Sequence, residues 1–116
     1  MRRLSPDEVI DAYQKTGRTP QRGSYRGFDG STFACGVGAV AIAHKNCADA
    51  LGIFQTFVHE LGYGASYHDG FTNGFDGRSR ELIKSEMWEF KRFVDGYEDG
   101  QAAWEAVKAL FPGQEG

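Results

Sequence analysis

The side chains best suited to nucleophilic or metal chemistry are two cysteines and three histidines, and all five lie in one stretch of the chain. They are Cys35, His44, Cys47, His59 and His68. Thiolate sulfur and imidazole nitrogen are preferred ligands of zinc. The spacing contains no short pair such as Cys-x-x-Cys or His-x-x-x-His, which zinc sites usually show. We therefore predict no metal and no cofactor, and zinc bound by Cys35, His44, Cys47 and His59 is the alternative.

Cys35 is the candidate nucleophile, because it precedes a predicted helix and a helix N-terminus can lower the pKa of a thiol. The segment from Cys35 to Ala41 resembles the nucleophile helix of papain-like cysteine peptidases. That family also needs a histidine well downstream on a β-rich half. The last histidine here is His68, and the chain after it is predicted to be helical. We therefore expect a buried structural thiol, and a cysteine- or zinc-dependent hydrolase is the least favoured function.

The segment between residues 15 and 26 contains four basic side chains and no acidic one. Guanidinium groups bind carboxylates and phosphates through paired hydrogen bonds. The candidate set for binding a small anion or an acidic protein is Lys15, Arg18, Arg22, Tyr25 and Arg26. The alternative is a solvated loop whose charge is neutralised by the acidic cluster Asp95, Glu98 and Asp99.

Two short segments share the pattern Asp-Gly-aromatic-x-(Asn/Asp)-Gly, and they begin at Asp69 and, 26 positions later, at Asp95. Small residues four apart lie on one side of a helix and let a second helix approach closely. The residues concerned are Gly70, Phe71, Gly74, Gly96, Tyr97 and Gly100. We expect them to form a helix contact within the chain or between two copies, and the second case would make the protein a homo-oligomer.

The composition is that of one ordinary globular domain spanning residues 1–116. Apolar residues make up 41% of the chain and charged residues 25%, with a net charge of -3. This charge argues against generic nucleic-acid binding. The longest apolar run, residues 36–43, is too short to cross a bilayer, and the first residues contain no hydrophobic signal region. We expect a cytoplasmic protein with no membrane association.

The elements that must position these residues are predicted to be mostly helical. Ser5 and Glu8 form a capping box for a first helix that ends at Gly17. Asp29-Gly30 lies between two short stretches that contain aromatic residues, which predicts a β-hairpin. The predicted fold is mainly α: a compact bundle of five or six helices with one short β-hairpin near residues 24–34.

Three further helical regions follow in the prediction. A buried helix begins near Cys35 and ends at His44, and Asn46 opens another that runs from Cys47 to Leu61. A helical stripe of rings four residues apart follows. Almost all of the last forty residues are predicted to be helical, with interruptions at Gly96 and Gly100. The stripe is Tyr63, Tyr67, Phe71 and Phe75. An apolar seam in the last region is Ile83, Met87, Phe90, Val94 and Tyr97.

The stretch from Tyr13 to Ala43 is similar to a loose group of small uncharacterised bacterial and phage proteins. These carry a helix, a Gly-rich hairpin, and then Cys-x-x-Gly or Cys-x-Gly at the start of a small-residue helix. The matching residues are Gly23, Tyr25, Asp29, Gly30, Cys35, Gly38, Ala39 and Val40, and residues 71–77 also fit this setting. The resemblance implies the hairpin-then-helix order and no activity.

These observations favour a non-enzymatic binding or interaction module that self-associates through the Gly-aromatic helices. The alternative is capture of a small anionic, nucleotide-like ligand by the basic segment.

Overall fold

A computed structural model describes residues 2–23, 33–47 and 49–110. Within these residues there are five α-helices and two short strands. They are α1 (Pro6–Thr16), β1 (Thr19–Pro20), β2 (Phe33–Ala34), α2 (Gly36–His44), α3 (Ala50–Gln55), α4 (Ala65–Phe75) and α5 (Lys91–Leu110). A π-helical turn, Thr56–Glu60, extends α3, and two 3₁₀ turns, Arg80–Leu82 and Ser85–Glu89, precede α5. The predicted mainly helical bundle is confirmed.

The two strands form a parallel pair in which Thr19 lies opposite Phe33 and Pro20 opposite Ala34. The Tyr13 hydroxyl donates a hydrogen bond of 2.7 Å to the carbonyl oxygen of Ala34, which holds β2 against α1. Residues 24–32 of the predicted hairpin lie outside the described residues. The described end of that prediction, Phe33–Ala34, pairs in parallel with the segment that follows α1.

Local capping explains where the first helices begin and end. At the start of α1, Ser5 Oγ accepts from the Glu8 amide and Glu8 Oε1 accepts from the Ser5 amide, as predicted. Gly17 ends the helix with a φ of 68°. The prediction that α3 starts at Asn46 is wrong. Asp49 caps α3 instead, because its Oδ1 accepts a 2.8 Å hydrogen bond from the Gly52 amide.

Helices α4 and α5 pack side by side in parallel, and this is the most extensive contact between elements in the described chain. Four buried glycines make it possible. A Cβ added at Gly70 or Gly74 would overlap the backbone of α5, and one added at Gly96 or Gly100 would overlap the backbone of α4. The expectation that Gly96 and Gly100 interrupt the last helix is wrong, since α5 continues through both.

The parallel arrangement explains why residues 77–90 do not form the predicted helix. An 11-residue helix such as α4 is about 16 Å long, and the chain must travel back along it before α5 can start at the same end. A turn at Gly77, with a φ of 75°, and the two 3₁₀ turns make this return. The apolar seam from Ile83 to Tyr97 is therefore split, and Phe90 is exposed.

The aromatic stripe is confirmed as a row of contacts through the core. Ring centroids are 5.4 Å apart between Tyr63 and Tyr67, 6.1 Å between Tyr67 and Phe71, and 6.2 Å between Phe71 and Phe75. Tyr63 precedes α4 and still joins the row. Trp104 of α5 contacts the far end through an edge-to-face arrangement with Phe75 at 5.3 Å.

Among the described residues, no helix combines the length and the apolar character that crossing a bilayer requires.

Candidate functional site

A cavity of about 670 Å³ opens at the end of the molecule where α4 and α5 both begin. Its walls are mostly apolar and include Tyr63, Tyr67 and the exposed ring of Phe90. Its charged lining residues are Arg2, Lys91, Arg92 and Glu89. Its size is within the range of small-molecule sites, and an apolar wall with a few charged groups is their usual composition.

The two helix N-termini give this end of the molecule a positive potential. The unpaired amides at a helix start carry partial positive charge, and an acidic residue in the first turn usually offsets it. Neither α4 nor α5 has an acidic residue in its first turn. At the start of α4, Gly64 offers no capping side chain, and α5 begins with Lys91 and Arg92. Because the helices are parallel, their positive ends add at the cavity.

Arg92 is held in the wall by several contacts. Its guanidinium lies over the Tyr67 ring, 4.4 Å from the centroid, and its Nη2 donates to the carbonyl oxygen of Tyr63 at 2.9 Å. Its Nη1 is buried without a hydrogen-bond partner among the described residues and lies 3.8 Å from Asp95 Oδ2. Arg92 therefore contributes a fixed charge to the site.

The two other cations are more accessible. The Arg2 guanidinium lies over the Tyr63 ring at 4.9 Å and donates to the carbonyl oxygen of Leu61 at 3.4 Å. The Lys91 ammonium donates to Asp95 at 3.0 Å, and its side chain is 82% exposed. Among the described residues, Arg2 is exposed and is held only by this long hydrogen bond and the ring contact, and Lys91 is held by one ion pair, so both side chains can turn toward a ligand.

A partly buried hydrogen-bonded network supports the wall from behind. The Tyr67 hydroxyl donates to Asp99 Oδ2 at 2.6 Å and accepts from the Leu4 amide at 2.7 Å. The Arg3 guanidinium binds both oxygens of Asp99, at 3.0 and 2.8 Å, and lies 3.3 Å from Asp95. The network attaches the N-terminal segment to α4 and α5, and so keeps the backbone of the neighbouring Arg2 beside the cavity.

The ionisation of this network follows from its contacts. Burial raises the pKa of Tyr67, and the hydrogen bond that its hydroxyl donates to Asp99 raises the pKa further. Burial alone would raise the pKa of Asp95. The hydrogen bond from Lys91 and the charges of Arg3 and Arg92 outweigh burial, so that the pKa of Asp95 lies below its usual value. Asp95 is therefore a carboxylate at neutral pH and cancels part of the positive charge at the start of α5.

The predicted basic segment does not form this cavity. Lys15 pairs with Asp11 on α1 at 3.0 Å. Arg22 donates from Nε to the carbonyl oxygen of Phe75 at 2.9 Å and lies over the Trp104 ring at 4.1 Å, so that it ties the chain after β1 to the end of α4. Arg18 lies just beyond α1, and its amide donates to Thr16. Tyr25 and Arg26 lie outside the described residues.

The suggestion that Asp95, Glu98 and Asp99 neutralise the basic segment stays a prediction, because part of that segment lies outside the described residues. All three carboxylates pair with Arg3, at distances between 2.8 and 3.6 Å. Arg3 is near them because the residues before α1 run along the surface of α5.

The cysteines and histidines have separate surroundings. Cys35 is buried at the start of α2, where its sulfur accepts from the Gly38 amide at 3.5 Å, and burial raises its pKa to about 12. Cys47 is buried with its sulfur 3.3 Å from Thr56 Oγ1. His44 and His59 are exposed. Within residues 2–23, 33–47 and 49–110, no three histidine, cysteine or carboxylate side chains form a group that could hold a metal ion.

The glycine motif is used inside the chain. Gly70, Gly74, Gly96 and Gly100 are all buried between α4 and α5. Phe71 and Tyr97 are buried beside them, and the Tyr97 hydroxyl donates to the carbonyl oxygen of Arg78 at 2.7 Å. These residues are therefore not available to a second copy of the chain, and a homo-oligomer stays a prediction that needs another surface.

The charged residues that line the cavity were not singled out in the sequence analysis, because that analysis did not find the start of α5. Lys91-Arg92 is an unusual beginning for a helix, and it becomes informative only once Phe90 is known to precede the helix rather than to lie within it. Arg2 gives no local signal, because its position depends on the contacts of Arg3 and Leu4 with distant residues.

Comparisons with protein-family models, with curated proteins and with solved structures give no match to this chain.

Proposed function

We propose that this chain is a non-enzymatic binding protein that captures a small organic anion in the cavity at the starts of α4 and α5. The carrying observation is that two parallel helices begin at one cavity without an acidic residue in either first turn, and that α5 begins there with two cations, Lys91 and Arg92. A negative group bound there would interact favourably with both helix ends and with three cationic side chains.

The contrast with α1 supports the proposal. That helix begins with a capping box and with Asp7 and Glu8 in its first turn, which is the arrangement that stabilises a helix start. Helices α2 and α3 also lack an acidic residue in the first turn, but the side chains of Cys35 and Asp49 cap them. At α4, which begins at the cavity, Gly64 supplies neither a capping side chain nor a charge, and sites that give up local stability in this way are typical of binding sites.

The arrangement of the lining supports binding rather than catalysis. The described lining residues include no histidine or cysteine. Tyr67, the ring nearest the buried network, has a raised pKa and uses its hydroxyl for hydrogen bonds to Leu4 and Asp99. From the sequence we also expect a cytoplasmic location and an acidic protein as a partner, and both are part of this proposal.

Calorimetric titration with benzoate, inorganic phosphate, AMP and ATP at low ionic strength tests the proposal. We expect at least one of these anions to bind and Lys91→Gln to weaken that binding about fivefold or more, since about 1 kcal/mol is the size of one exposed charge–charge contact. The matched control is Lys108→Gln, because Lys108 also lies on α5 and pairs with an acidic residue of the same helix, Glu105, at 3.1 Å. Absence of binding by all four anions and by a larger aromatic carboxylate, or equal loss in both variants, would contradict the proposal.

A further inference from the structure

We infer that the ligand of this cavity is a monocarboxylate with a flat apolar body, rather than a nucleotide or another polyanion. The inference rests on the proposed function and adds the ligand's charge and shape.

The charge of the ligand follows from the ionisable groups at the cavity. Three cations, Arg2, Lys91 and Arg92, line it, and one carboxylate, Glu89, lies among them. Asp95 lies behind the wall, 3.0 Å from Lys91, 3.8 Å from Arg92 and 3.3 Å from Arg3, whose own charge is balanced by Asp99. Counted against Lys91 and Arg92, Asp95 leaves one formal positive charge among the side chains, to which the two helix ends add a partial positive charge. A single carboxylate would balance it, whereas a second or third negative charge would face Glu89 and Asp95 without a cation of its own.

The shape of the ligand follows from the walls. The guanidinium group of Arg2 lies over the Tyr63 ring, and that of Arg92 lies over the Tyr67 ring. Guanidinium groups and aromatic rings are both planar, so the wall presents flat groups. Phe90 adds a ring that is 54% exposed. Guanidinium planes and aromatic rings both favour contact with another flat apolar surface. A planar body with one carboxylate can therefore place its ring against Phe90 and its charge between the helix starts.

Three probes with the same ring system separate charge from shape. They are 2-naphthamide, 2-naphthoate and 2-naphthyl phosphate, which are neutral, singly charged and close to doubly charged at pH 7.5. We expect 2-naphthoate to bind about tenfold or more tightly than 2-naphthamide, which corresponds to about 1.4 kcal/mol. We expect it also to bind more tightly than 2-naphthyl phosphate.

Two variants assign the binding to this cavity. Lys91→Gln should weaken 2-naphthoate about fivefold or more and leave 2-naphthamide unchanged, whereas Phe90→Ala should weaken all three probes by a similar factor. Both side chains are exposed, so neither change removes core packing. Lys108→Gln serves as the control for Lys91→Gln.

The outcomes distinguish this inference from the proposed function. Equal binding of 2-naphthamide and 2-naphthoate, or tighter binding of 2-naphthyl phosphate with the same dependence on Lys91, overturns the monocarboxylate inference and leaves an anion site standing. Binding of AMP or ATP without binding of 2-naphthoate would likewise overturn the monocarboxylate inference and leave the anion site standing. If no anion of either series binds, both the inference and the proposed function fall.

Discussion

Gly70 and Gly96 occupy equivalent positions in two parallel helices. A Cβ at Gly70 would overlap the carbonyl oxygen of Phe93, and a Cβ at Gly96 would overlap that of Tyr67. In both directions the overlapped carbonyl belongs to the residue three positions before the partner glycine. The second glycine of each segment repeats the arrangement. The repeated sequence is therefore a local two-fold relation between α4 and α5, and it is this relation that brings both helix starts to one cavity.

Replacing either glycine should separate the two helices. Gly96→Ala and Gly70→Ala each place a methyl group on the opposite backbone, which cannot move as a flexible side chain can. We expect each to lower the free energy of unfolding by at least about 2 kcal/mol, measured by urea denaturation. Gly52→Ala is the control, because Gly52 is also helical and its Cβ would meet the side chain of Asp49 at 3.2 Å. An effect of Gly96→Ala no larger than that of Gly52→Ala would contradict the close packing.

The sequence predicted the elements that depend on neighbouring residues. The capping box of Ser5 and Glu8, the helix after Cys35 and the ring stripe along α4 follow from caps and periodicity, and the structure confirms them. The glycine pattern predicted a close helix contact. It could not show that the helices are parallel, because the same small residues permit either direction.

The site depended on relations that a sequence does not contain. Because α4 and α5 are parallel, residues 77–90 must return along α4 before α5 can start, and α5 therefore begins only at Lys91. A periodic seam through the same residues favoured one continuous helix. In the strongest basic pattern, residues 15–26, Arg22 joins two parts of the fold, and Tyr25 and Arg26 lie outside the described residues. The cations of the cavity come from Arg2 and from Lys91-Arg92, which are far apart in the chain.

Tyr67 should matter to stability through its hydroxyl. Tyr67→Phe leaves the buried Leu4 amide without its acceptor and removes one of the hydrogen bonds to Asp99, which keeps those from Arg3, so we expect a loss of about 1–3 kcal/mol in urea denaturation. Tyr97→Phe removes one hydrogen bond to the carbonyl oxygen of Arg78 and should cost about 1 kcal/mol. Equal losses in the two variants would show that the network around Tyr67 is not a special contributor.

Cys35 should be chemically inert in the folded protein. Its burial and its pKa of about 12 leave almost no thiolate at pH 8, and the thiolate is the reactive form. In a Cys47→Ala background, we expect no reaction with Ellman's reagent in native buffer and one thiol per chain after addition of denaturant. Fast labelling of the native protein, with its far-UV circular dichroism unchanged, would instead reopen a role for Cys35 as a nucleophile.

His68 should make the protein less stable in mild acid. Burial lowers its pKa, and the nearby Asp69 carboxylate opposes this only in part. The unfolded chain therefore binds a proton first as the pH falls from about 6.5, and the free energy of unfolding declines until the pH passes the folded-state pKa. Urea denaturation at pH 7.5 and 5.5 measures the decline. We expect His68→Gln to reduce it and the exposed His59→Gln to retain it; an unchanged decline in His68→Gln would assign it to other groups.

The cavity should show opposite effects on stability and on binding when one acidic residue is added. Ala65 is exposed, is the first residue of α4 and lines the cavity. Ala65→Asp places a carboxylate at the two positive helix ends. We expect it to raise the free energy of unfolding by about 0.3–1 kcal/mol at low ionic strength relative to Ala65→Asn, which has nearly the same size without the charge.

The carboxylate of Ala65→Asp should also neutralise part of the positive charge that would otherwise attract a ligand. Anion binding measured by calorimetry should therefore fall in Ala65→Asp and remain in Ala65→Asn, and both differences should shrink as salt is added, because salt screens exposed charges. A variant that gains stability and keeps its affinity would show that the helix ends do not attract the ligand. A variant that loses both would point to a local change of structure, and the Asn variant would then lose both as well. A net positive potential at the joined starts of α4 and α5 accounts for greater stability together with weaker binding.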